Sequence, residues 1–141
     1  MKKQLIGAAL VAFGGLAAPA AQAGSDQELV QICEKVFAAI QSGDQSQIIP
    51  YFPEQLYQQA PQRHARSFQK KVDKMKKRNG FSHSYREVRD MDTPPKFLSD
   101  LGASQYKLVD FDAVDGDGQK YLANCGFAFI DGHWKLVRTP F

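Results

Sequence analysis

Four aspartates crowd into eight positions of this sequence, at Asp110, Asp112, Asp115 and Asp117, and a hard cation such as calcium seeks carboxylates gathered in this way. Their spacing fails the calcium-loop test. Asp115 stands where an EF-hand loop needs its glycine, and no glutamate follows in register to chelate with both oxygens. His64, His83 and His133 belong to separate segments and lack the short intervals of a zinc site, so no metal site is expected. Cys33 and Cys125 could act as nucleophiles, but both alternate with apolar residues, which points to burial. No nucleophile elbow, phosphate loop or dinucleotide fingerprint occurs, so no catalytic residue and no cofactor is assigned. Asp110 and Asp112 sit on a segment of strand pattern that could face a pocket, which keeps an acid–base enzyme of isomerase or hydrolase type as an alternative.

Charge is more distinctive than any of these. Between Arg63 and Arg89 stand ten basic residues (Arg63, Arg66, Lys70, Lys71, Lys74, Lys76, Lys77, Arg78, Arg86 and Arg89) against only Asp73 and Glu87. A solvated helix face balances its charges better than this. Such a stripe attracts anionic surfaces, with Arg63, Arg66, Lys70, Lys71, Lys74, Lys77 and Arg78 as the partner-binding residues. The expected partner is an anionic envelope component (lipid headgroups or an envelope polymer) or an acidic protein.

The class of partner follows from the N-terminus. Lys2 and Lys3, the apolar run Leu5–Ala18 and the small residues Ala21 and Ala23 make a signal-peptide pattern, with cleavage expected after Ala23. The run falls short of the roughly 20 residues of a spanning helix and is broken by Gly14, Gly15 and Pro19, so no stable membrane anchor is expected. The mature chain should be periplasmic or secreted, which disfavours nucleic acid as a partner. Without residues 1–23 the balance is 16 basic against 15 acidic residues, so only the distribution of charge is informative. At 141 residues and 43% hydrophobic, the chain has material for one domain over residues 24–141.

Helices come first. Ser25-Asp26-Gln27-Glu28 has the spacing of a capping box, and Leu29, Ile32, Cys33, Val36, Phe37 and Ile40 repeat as one buried stripe up to a stop at Gly43. Asp44 can cap a short piece ending before Pro50, and Pro53 can open another through Ala60. Pro61–Asn79 reads as the longest helix, with Ala65, Phe68, Val72 and Met75 inward, a basic opposite face and Gly80 as its stop.

Strands follow. Phe81, His83 and Tyr85 alternate with polar neighbours, predicting a strand to about Met91 that ends at Thr93-Pro94-Pro95; one helical turn fits within Lys96–Gly102. Gln105–Val114 and Gln119–Ile130 are strands joined by Asp115-Gly116-Asp117-Gly118. Asp131-Gly132 is the signature of a two-residue type I′ turn. That turn pairs Ile130 with His133, Phe129 with Trp134, Phe127 with Leu136 and Cys125 with Arg138. Cys125 then shares an aromatic sheet face with Phe127 and Phe129, and a helix lying there would bring Cys33 to it. Export supplies the oxidant, so a Cys33–Cys125 disulfide is expected.

This layout is α+β: N-terminal helices packed on a curved antiparallel sheet of about four strands. A first helix ending in Ser42-Gly43-Asp44, the apolar stretch Ile48, Ile49, Tyr51 and Phe52, and a last hairpin written Ile130-Asp131-Gly132-His133-Trp134-Lys135-Leu136 resemble the small exported members of the NTF2-like superfamily. The long Pro61–Asn79 helix departs from that pattern, and a cystatin-like roll is the alternative topology. The resemblance implies a cone whose open end holds a small ligand, serves a partner or is filled by side chains; no catalytic set carries over. A non-catalytic exported binding or interaction domain is therefore the expected function. A small pocket enzyme and a periplasmic immunity protein are the alternatives.

Overall fold

A computed structural model describes residues 26–141. Residues 1–23, which the sequence reads as a signal peptide, and Ser25 of the expected capping box lie outside them. Among the described residues, no helix is long and apolar enough to cross a membrane.

Helix α1 spans 26–42 and buries Leu29, Cys33, Val36, Phe37 and Ile40, the expected stripe. Gly43 ends it with φ +76°, its amide donating to the Ala39 carbonyl at 2.8 Å. Asp44 then caps a short 3-10 turn, Gln45–Gln47, by accepting the Ser46 amide and hydroxyl, which holds its carboxyl below the ordinary value. A second such turn covers Ile49–Tyr51, and Pro53 caps α2, Glu54–Gln59. Helix α3 runs Pro61–Lys77, short of the expected Asn79, because Asn79 (φ +61°) and Gly80 (φ +82°) both turn left-handed and return the Gly80 amide to the Met75 carbonyl. Phe68, Val72 and Met75 are buried as expected; Ala65 stands at the flank of their row and is exposed.

Strands β1 (Phe81–Met91), β2 (Gln105–Asp115), β3 (Lys120–Ile130) and β4 (His133–Arg138) form one antiparallel sheet in chain order, with the short helix α4 (Lys96–Ser99) between β1 and β2. The fold is α+β, with helices followed by a curved four-stranded sheet. One sheet face packs on the helices through Phe111, Cys125, Phe127 and Leu136, and Leu98 of α4 covers Ala128 and Ile130 in a second cluster. Cys33 and Cys125 are joined by a disulfide with Cα atoms 5.9 Å apart. Tyr85, which shares its alternation with Phe81 and His83, meets Phe111 edge-on at 5.9 Å yet stays half exposed, because β1 is a sheet edge and bulges just beyond it.

Asp131 (φ +52°) and Gly132 (φ +80°) make the expected turn, and the pairs Ile130–His133, Phe129–Trp134 and Phe127–Leu136 hold. The expected Cys125–Arg138 pair does not. Gly126 faces Arg138 instead, because β4 carries Val137 as an extra residue there. Gly126 permits the slip: a Cβ there would lie 2.9 Å from both the Arg138 Cβ and the Tyr106 hydroxyl.

The β2–β3 turn is fastened to the end of α3. The Gly116 amide lies between the Arg78 and Gly80 carbonyls at 2.9 and 3.0 Å, and Asn79 donates to Asp117 at 2.9 Å. A Cβ on Gly116 would run into the Asn79 backbone carbonyl. We therefore predict that Gly116→Ala destabilises the fold by about 1–3 kcal/mol. A lower urea midpoint at unchanged slope would show it, and an unchanged midpoint would mean that the turn yields freely.

Candidate functional site

The four aspartates do not converge. Buried Asp110 accepts Arg89 Nε at 2.5 Å and Nη2 at 3.1 Å, which pushes the guanidinium further above its ordinary value. Asp112 pairs with Arg86 at 3.2 Å on the surface. Asp115 accepts the amides of Asp117 and Gln119, each at 2.9 Å, and faces Arg78 at 3.5 Å. Each carboxylate has its own conformational or ionic partner, and among the described residues no three metal-ligating side chains gather. The histidines are also dispersed: His83 stacks on Phe37 and meets Glu34 at 2.6 Å, His64 lies on α3, and His133 opens β4.

The basic block is divided by the fold. β4 pairs with β3 only from Gly126 to Ile130, so among the described residues the first half of β3, Lys120–Cys125, has no strand on that side. Between this open half, the chain leaving β4 and helices α2 and α3 lies a cavity of about 810 Å³, within the range of small-ligand sites. Lys71 and Lys74 line it from α3, Arg78 from the C-cap of that helix, and Lys120 and Arg138 from the sheet; among the described residues its lining includes no aspartate or glutamate. Arg63, Arg66, Lys70 and Lys77 are exposed and do not line it. Phe52, Tyr57 and His64 also line it, with ring centroids 5.6–6.0 Å apart.

Lys71 is the most constrained of these cations. Half-buried, it donates from Nζ to the Pro140 carbonyl at 3.2 Å. Burial pushes its ammonium below the ordinary lysine value, and Lys74 and Arg138 push the same way. Arg78, by contrast, is paired with Asp115 and lies 5.7 Å over the Tyr121 ring. Burial, with Asp115 nearby, raises the Tyr121 hydroxyl. Among the described residues, no carboxylate comes within ion-pair distance of Lys71, Lys74, Lys120 or Arg138.

The Lys71 shift has a definite sign in stability. A folded-state value below the unfolded one means that the unfolded chain binds more protons, so stability should rise with pH between the lowered value and the ordinary 10.5. We predict that Lys71→Met flattens this alkaline rise in urea-unfolding midpoints. A rise of the same size in the variant would place its origin elsewhere.

Lys120 and Arg138 were not singled out from the sequence, since their role depends on where β4 stops. The flanking positions of α3 did carry a signal: Lys71 and Arg78 each follow a buried residue, Phe68 and Met75, by three positions, which puts them at the border of the apolar row.

No protein-family model and no curated protein sequence matches this chain. In structure it is similar to a Campylobacter jejuni protein named as an NTF2-like transpeptidase, at 12% identity and a TM-score of 0.44, over 73% of this chain and 92% of that one.

Proposed function

We propose that this is an exported, non-catalytic binding domain that takes an anionic partner in the groove between α3 and the open half of β3. The supporting observation is the convergence of Lys71, Lys74, Arg78, Lys120 and Arg138 on one cavity whose lining, among the described residues, includes no aspartate or glutamate. Holding Lys71 half-buried among like charges costs stability, and a bound anion would relieve that cost. Arg63, Arg66, Lys70 and Lys77 extend the positive field outward and steer the partner. The signal pattern of residues 1–23 supports a partner in the cell envelope, either an anionic polymer or an acidic protein.

Tripolyphosphate titrated calorimetrically is a suitable probe. Lys71→Met, Lys74→Ala and Arg138→Ala should each weaken its binding about tenfold, the value of one charge-assisted hydrogen bond. Lys70→Glu with Lys77→Glu should weaken it less and mainly at low salt. Equal effects at both sets of positions, or no salt dependence, would remove the groove as the site.

A further inference from the structure

The open half of β3 bounds the cationic groove with backbone as well as with side chains. The Asp115 amide donates to the Gln119 carbonyl, and the β2–β3 register carries that alternation along the strand. Tyr121, Ala123 and Cys125 therefore bond to β2, whereas Lys120, Leu122 and Asn124 turn their amides and carbonyls to the side that β4 leaves vacant. Such a row is a template for another strand.

Helix α3 runs alongside it. Lys71 is at the Arg138 end, where it holds the Pro140 carbonyl, and Arg78 is at the other end, over Tyr121. Lys71 and Lys74 are thus spaced along the open edge by a helix rise of about 4.5 Å, shorter than the roughly 6.8 Å between same-side residues of an extended chain by an amount that flexible lysine stems can span, and Arg78 follows at the helix C-cap. We propose that this edge takes an extended acidic segment of a partner protein as an added strand, its backbone bonding to Lys120–Asn124 and its alternate carboxylates meeting Lys71 and Lys74. Charge decides between occupants. A second copy paired on this edge would bring two sets of Lys120 and Arg138 together, and residues 1–25 of this chain carry Lys2 and Lys3 and no carboxylate. The inference rests on the anionic-groove reading and names its ligand class, with main-chain bonds supplying affinity and alternate side chains specificity.

The probe is a fluorescent blocked peptide of about eight residues alternating glutamate and threonine, measured by polarisation beside tripolyphosphate. Strand addition uses the amides of one alternate set only. N-methylating that set should weaken peptide binding more than about tenfold, while methylating the other set should leave it nearly unchanged. In the protein, Leu122→Pro removes one outward amide at an edge, where proline is tolerated, and should lower peptide affinity about tenfold more than tripolyphosphate affinity. Should that variant fail to fold, the pair of methylated peptides decides alone. Equal response to both methylations, or binding of tripolyphosphate without the peptide, overturns strand addition and leaves the anionic groove standing. Concentration-dependent dimerisation that competes with the peptide overturns it in favour of a second copy. Binding of neither probe overturns the groove reading as well.

Discussion

Converting Cys33 and Cys125 to alanine together is expected to lower stability by about 4–5 kcal/mol, because the bridge closes a loop over a sequence separation of 92 and so restricts the unfolded chain. Both residues are fully buried, Cys33 against the α1 stripe and Cys125 against Phe127 and Leu136, so alanine leaves no unsatisfied polar group behind. In a domain of this size that is a fall of about 15 °C or more in Tm. Wild-type protein melted in reductant should approach the double variant, and the variant should not respond to reductant. A melting point unmoved by reduction would show that the loop is restrained by something other than the bridge.

Phe37→Ala should have an effect of similar size, about 3–5 kcal/mol. The ring is fully buried and is the hub of an aromatic cluster: it stacks on His83 at 4.1 Å and meets Phe111, Phe81 and Phe141 at 4.9, 5.4 and 6.0 Å. Its loss opens a cavity that rigid strands on one side and a disulfide-tied helix on the other cannot close. Phe141 follows Pro140, whose carbonyl holds Lys71, so the variant should also bind tripolyphosphate more weakly where it remains folded. Phe37→Leu keeps most of the volume and should cost less than about 1.5 kcal/mol. Near-equal denaturation midpoints for the two variants would argue that the cluster collapses around the gap.

The sequence made local features readable and left their meeting points obscure. Asp131-Gly132 demands positive φ at both positions, so the last hairpin and its first three pairs could be placed from two residues. The α1 stripe and the strand alternation put both cysteines into one core, and the disulfide followed. The groove was not legible, since it depends on β4 parting from β3 after Gly126, a slip of one residue permitted by a missing Cβ. Nor could composition separate the basic residues. On the helix, Lys70 and Lys71 are neighbours, yet one faces solvent and the other is half-buried in the cavity wall. The rotation of α3 against the sheet decides between them, and three buried residues fix that rotation only once the sheet is present.

The span between the bridged cysteines also bears on how the chain is made. All three strand pairings join consecutive strands, so the sheet can assemble as each hairpin is completed, whereas α1 rests on β2 and β3 from the far side of the sequence. A chain synthesised from its N-terminus presents Cys33 without Cys125 as a partner until the latter emerges, at a sequence separation of 92. Cys33 and Cys125 are the two cysteines of these 141 residues, so no wrong pairing competes within them during that interval. The hazard is bond formation with another molecule's thiol, and the apolar surface of α1 is exposed over the same period. The bridge of this domain is therefore a matter of timing rather than of isomerisation: Cys33 can pair with Cys125 only once the third strand has been made.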